Sequence, residues 1–125
     1  MQGLMEKKTY ITVEEQKKCR KVADAFAELE DVDIVVVDAG RYGFVKLQYY
    51  TPPTGFENDF TFTDSKELFE DLYEEWLHTQ LIVFAREMSI HDIDYDSVFK
   101  QLSEGKQKEL EERKEDFAEK AGIAL

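Results

Sequence analysis

Apolar residues recur along the chain with two different periods, and the switches between them divide it into helices and strands. Thr12-Val-Glu-Glu15 is a capping-box pattern, in which a hydroxyl and a carboxylate satisfy the donors that a helix start leaves free. Cys19, Val22, Ala23, Phe26 and Leu29 follow at three- and four-residue spacing, which predicts a first helix to about Glu30. Lys17, Lys18, Arg20 and Lys21 occupy its other side. Ile34 to Val37 is β-branched and continuous, and Phe44 to Tyr50 alternates with Val45, Leu47 and Tyr49 on one face. Gly40 and Gly43 between them can take the positive φ of a tight reversal, so the two runs predict a β-hairpin with Arg41 and Tyr42 at its tip. Thr51-Pro-Pro-Thr-Gly55 cannot continue a central strand, because proline lacks the ladder donor. It predicts a loop leading to a short third strand around Asp59 to Thr63.

Thr63 or Asp64 then caps a long helix of about 25 residues, running to about Met88 with Glu67 completing the cap. Leu68, Phe69, Leu72, Tyr73, Trp76, Leu77, Leu81, Phe84 and Met88 fill a broad arc of it, opposite Glu67, Asp71, Glu74 and His78. Asp94 or Asp96 caps a short helix carrying Val98, Phe99 and Leu102. Ser103 caps a last helix in which Leu110, Phe117, Ala118 and Ala121 face inward and which Gly122 and Ile123 end in a Schellman-type stop. The order is α-β-β-β-α-α-α. The expected fold is a single α+β domain over residues 1–125: a three-stranded antiparallel sheet, packed against the N-terminal helix and the long central helix, followed by two C-terminal helices. Residues 1–9 carry no such pattern and are expected to be flexible, with Met1 and Met5 both candidate starts.

Charge changes the picture most in one stretch. Of a net −12, the segment Glu57 to Glu75 holds −7: eight carboxylates against Lys66. A concentrated negative surface selects basic partners and repels nucleic acid backbones. The last helix is charged but mixed, seven acids and five bases over Glu104 to Lys120, the composition of a solvated helix with i,i+4 pairs. Nine Phe, six Tyr and one Trp provide ample apolar surface for a core. Cys19 is the single cysteine, which excludes an internal disulfide and fits a reducing compartment. No apolar run approaches a membrane span and the first residues have no secretory apolar core, so the expected setting is cytoplasmic, with no membrane partner.

Candidate chemistry is sparse. Glu75-Trp-Leu-His78 has the Glu-x-x-His spacing of di-iron helices, but such a site needs a second copy, and His91 is preceded at the matching position by Met88. An ordinary exposed His78 is favoured. Asp92, Asp94 and Asp96 open like a calcium loop, yet Ser97 and Ser103 stand where that loop requires Gly and Glu, so capping is the better reading. Cys19 lies on an apolar stripe, where thiols are inert. Gly40-Arg-Tyr-Gly43 is too short to cradle a phosphate. Arg41 and Tyr42 carry the chemistry of a small recognition knob, with a solvated turn as the plainer reading. Tyr49 to Phe56 gathers aromatics and prolines, and Gln80 falls inside the apolar arc beside Trp76, where a buried amide needs partners. Tyr49, Trp76 and Gln80 are therefore a candidate pocket.

The strings Asp38-Ala-Gly-Arg-Tyr-Gly-Phe-Val-Lys-Leu-Gln-Tyr-Tyr50, Glu75-Trp-Leu-His-Thr-Gln80 and Phe117-Ala-Glu-Lys-Ala-Gly122 resemble small uncharacterised acidic proteins of Gram-positive bacteria, mobile-element proteins among them. That resemblance implies a bacterial cytoplasmic setting and brings no activity, cofactor or site.

The expectation is a non-enzymatic acidic interaction module, an accessory, inhibitor or immunity-like protein. It docks Glu67, Glu70, Asp71 and Glu74 on a basic protein surface and uses neither cofactor nor nucleic acid. The alternative is a small-molecule or metal-binding protein or enzyme, with Tyr49, Trp76, Gln80, His78 and Asp92 to Asp96 as lining. A homodimer through Leu81 to Met88, nearly apolar all round at its start, is a third expectation.

Overall fold

In the computed structural model, which describes residues 10–29, 33–91 and 94–125, four helices and three strands follow in the expected order. Helix α1 (Val13–Ala27) starts where the Thr12 hydroxyl accepts from the Glu15 N–H at 3.0 Å. It ends three residues short of the apolar stripe's limit, with Leu29 donating back to the Phe26 carbonyl at 2.9 Å. Strand β1 (Ile34–Asp38) turns through a 3-10 segment, Gly40–Tyr42, into β2 (Phe44–Tyr50). Gly43 is indispensable at the exit: its φ is +106° and an added Cβ would lie 2.3 Å from the Phe62 carbonyl oxygen.

Strand β3 (Gly55–Phe62) is a correction to the short strand expected at Asp59 to Thr63. Thr54 N–H donates to the Thr51 carbonyl at 3.3 Å, so the proline segment closes a four-residue turn and pairing resumes at once, Tyr50 opposite Gly55 and Tyr49 opposite Phe56. The ladder slips by one residue between Lys46 and Gln48, where Asn58 takes a φ of 58°. The sheet is antiparallel with order β1-β2-β3, leaving β1 and β3 as edges.

Helix α2 (Ser65–Glu87) is capped by Asp64, whose carboxylate accepts from Lys66 and Glu67 N–H at 2.9 and 3.0 Å. Helix α3 (Tyr95–Gln101) is capped by Asp94, and α4 (Glu104–Ala121) by Ser103. Gly122 ends α4 in the left-handed conformation while Ile123 N–H reaches the Ala118 carbonyl at 2.9 Å, the Schellman pattern.

The core lies where α1, α2 and α4 meet beneath the sheet. Cys19, Val22 and Phe26 from α1, Leu68, Phe69 and Leu72 from α2, and Leu110, Phe117 and Ala121 from α4 are all buried with Phe44 of β2. Phe69 and Phe117 rings lie 4.7 Å apart and Phe26 is 6.2 Å from Phe117, so aromatic contacts join the three helices. Ile34, Val36 and Phe62 pack on this core from the sheet's inner face. Among the described residues no helix is long and apolar enough to cross a membrane.

Candidate functional site

The N-terminal half of α2 divides its carboxylates between the interior and water. Lys46 sits on the sheet's inner face with only 6% of its surface exposed, and its ammonium lies 2.5 Å from Asp71 Oδ2 and 3.1 Å from Glu75 Oε1. Burial disfavours the charged ammonium, but the hydrogen bonds to Asp71 and Glu75 and their charges outweigh it, and the Lys46 pKa is raised. Two of the helix's acids are thus partners of a buried cation. Glu67 and Glu74 are turned to solvent, and Glu70 has Lys114 of α4 3.5 Å away.

Asp64, Glu67, Glu70, Asp71 and Glu74 line one open groove of about 540 Å³, with Phe62 of β3 in its wall and Lys66 at one end. The four residues singled out as an acidic docking set therefore share one surface. Helical spacing places Glu67, Glu70, Asp71 and Glu74 within two turns, and the Asp64 cap fixes where the run starts.

Glu70 and Glu74 also form one wall of a second depression, about 330 Å³, between α2, α3 and α4. Tyr73, Leu77, His78, Leu81, Tyr95, Asp96, Phe99 and Lys114 complete it. The His78 imidazole stacks flat on the Tyr95 ring, centroids 3.8 Å apart at 2°, and its Nε2 lies 3.5 Å from Glu74 Oε1. Tyr73 donates its hydroxyl to the Leu110 carbonyl at 2.9 Å; burial, with the charge of Glu111, pushes its pKa up to about 12. Tyr73 is therefore a structural phenol that anchors α2 to α4.

The other expected residues scatter. Trp76 is buried against Tyr73 with the Arg113 guanidinium 5.3 Å from its ring, whereas Tyr49 packs on Phe56 on the outer face of the sheet, 5.2 Å between centroids. Gln80 is half-buried. These three line no common cavity among the described residues. Arg41 and Tyr42 are exposed at the hairpin tip, where Arg41 lies 4.8 Å from the Tyr10 ring and 5.1 Å from that of Tyr42. Asp94 is the α3 cap and Asp96 reaches the α2–α3 cleft, while Asp92 lies outside the described residues. Among the described residues no three His, Cys, Asp or Glu side chains are placed to hold a metal ion. Cys19 is fully buried; burial first, then Glu15 and Asp64, push its thiol up to about 11, which leaves it unreactive at neutral pH. Of the Leu81 to Met88 run, Leu81 and Ala85 belong to the core, and Val83 and Met88 remain exposed.

Lys46, Lys114 and Tyr95 are the residues that sequence reasoning missed. Lys46 alternates with Phe44 and Gln48, so its place on the inner face follows once Phe44 is known to be buried, but strand periodicity alone does not say which face is inside. Lys114 and Tyr95 meet α2 only through tertiary packing. Models of protein families, curated proteins and solved structures show no match to this chain.

Proposed function

We propose that the protein is a non-enzymatic acidic interaction module that docks the α2 groove on a basic surface of another protein, in the manner of an accessory, inhibitor or immunity protein. The observation that carries this reading is the gathering of Asp64, Glu67, Glu70, Asp71 and Glu74 along one open groove with an aromatic wall at Phe62. Carboxylates on a shared surface steer a cationic partner and set register, and an apolar wall gives it somewhere to bury a side chain. The setting that fits is the cytoplasm of a bacterial cell. A DNA-mimic form is the weaker version, because carboxylates at helical spacing are common on plain solvated faces.

Affinity capture from lysate at low and high salt tests it when the native chain is compared with Glu67→Lys/Glu74→Lys. A partner retained by the native chain at low salt and lost both at high salt and with the charge-reversed variant is the expected result. Equal capture by the two chains would remove the groove from the account.

The α2–α3 cleft supports a second reading, a small-molecule binder, because it unites His78, Tyr95, Asp96, Glu70, Glu74 and Lys114 at one depression. Thermal-shift screening against metals and metabolites separates the two, since a ligand specific for the native state raises its apparent stability.

A further inference from the structure

The two edges of the sheet are built differently. On β3 the open edge is broken by the bulge at Asn58 and flanked by Glu57 and Asp59, devices that discourage another strand from pairing. On β1 the run Ile34-Val-Val-Val37 has no charge, proline or bulge. Its backbone parity is fixed by the bonds at its ends: Tyr49 N–H donates to the Asp33 carbonyl at 2.8 Å and Ala39 N–H to the Gly43 carbonyl at 2.9 Å. With Val35 opposite Leu47 and Val37 opposite Val45, the odd-numbered residues bond to β2. Ile34, Val36 and Asp38 therefore turn their amides and carbonyls to the open edge, where no hydrogen bond among the described residues meets those of Ile34 or Val36. The side chains of Val35 and Val37 stand on the outer face, 40% and 43% exposed.

We infer that β1 pairs antiparallel with β1 of a second copy of this chain, centred on Val36, to make one six-stranded sheet. The strand is self-complementary in that register. Val36 of one copy exchanges both backbone bonds with Val36 of the other, and Ile34 does so with Asp38. Val35 comes opposite Val37 on the outer face, covering the exposed valines with each other. Charge favours this edge over any other meeting of two chains of net −12. Glu57 and Asp59 lie on β3, at the far edge of the sheet, so the β3 carboxylates of the two copies end up about 24 Å apart across five strand spacings. That is roughly three Debye lengths at physiological ionic strength. Near β1 the charges are mixed, with Arg20 already paired to Asp38. The α2 groove stays open in each copy, so the pairing is independent of the docking reading.

Five paired residues make a small junction. Junctions at the low end of the interface size range belong to weak, transient pairs, so association is expected only at high concentration. Sedimentation equilibrium from 5 to 500 μM should show the mass rising from 14.6 kDa towards twice that value. Val35→Lys/Val37→Lys, which sets four ammonium groups at the junction on side chains the fold leaves exposed, should hold the chain monomeric with unchanged circular dichroism. Val83→Lys, at an equally exposed position on α2, should leave the association intact. Amide exchange gives the specific signature: the Ile34 and Val36 amides become protected as concentration rises, while those of Val35 and Val37 are protected throughout. A monomer at 500 μM, an association abolished by Val83→Lys instead, or concentration-independent exchange at Val36 would each overturn the pairing.

Discussion

The inner face of the sheet buries one charge among its apolar side chains, and the outer face leaves apolar side chains open to water. Inside, Phe44 and Phe62 share a face with Lys46, a buried lysine held between Asp71 and Glu75. Outside, Val35, Val37, Tyr49 and Phe56 are exposed at between 38% and 52%. The difference shows that α2's acids do two jobs. Some complete an internal ion triad that fixes the sheet on the helix, and others, Glu67 and Glu74 among them, stay turned to solvent. Neutralising both carboxylates would strand the buried Lys46 ammonium, whereas replacing the lysine by a similar apolar shape leaves Asp71 and Glu75, both partly exposed, able to turn to water, and that asymmetry is how the comparison can be broken or sharpened.

The largest effect is expected at Phe44. Truncation to alanine empties a position that is 2% exposed, and chemical denaturation should show a loss of about 3–5 kcal/mol. Next comes Asp71→Asn/Glu75→Gln, which strands the Lys46 ammonium. Because both carboxylates are themselves partly exposed, 36% and 44%, the loss in the same assay should be about 3 kcal/mol, the low end for a broken buried pair.

A pH series sharpens the interior side further. The folded chain holds the Cys19 proton to about 11 against an ordinary 9.0, so this contribution is complete below pH 9 and lost as pH rises through 11. It amounts to on the order of 2 kcal/mol by linkage. Lys46, also raised, acts in the same direction: its contribution is whole below about pH 10.4 and lost as pH climbs through its higher folded value. Stability should therefore fall between pH 9 and 11, and Cys19→Ala should flatten the first part of that fall.

Lys46→Met is expected to change stability by only about 1 kcal/mol in either direction, since Asp71 and Glu75 can turn to water and the methionine fills the same space. The smallest effect belongs to the outer face. Val37→Thr, measured at low micromolar concentration, should fall within about 0.5 kcal/mol of the native chain. A loss there as large as that of Phe44→Ala would show that the face is covered and the comparison is wrong.

Much of this architecture is legible in the sequence because local rules act alone at the element ends. The caps at Thr12, Asp64, Asp94 and Ser103 and the stop at Gly122 form as side-chain chemistry dictates, although the Glu15 carboxylate accepts from Ser65 of α2 instead of closing the expected capping box. The third strand begins four residues before the position the sequence pattern predicts, because the turn that holds Pro52 and Pro53 is short enough for β3 to start at Gly55. The acidic groove follows from helical spacing, which brings Glu67, Glu70 and Glu74 to one surface whatever the rest of the chain does. The ion triad and the His78–Tyr95 stack do not, since each joins elements far apart in sequence, and nothing local marks Lys46 as the one buried lysine among the described residues.

The docking reading is tested most directly by following backbone amides in an NMR titration with a ten-residue lysine-rich peptide, at low salt and again at 0.5 M NaCl. Helix α4, with seven acids balanced by five bases over Glu104 to Lys120, serves as the control within the same molecule. Shifts confined to Asp64 through Glu74 and Phe62, and erased by salt, are the predicted result. Shifts spread equally over α4, or centred on His78 and Tyr95 while Glu67 stays still, would contradict it.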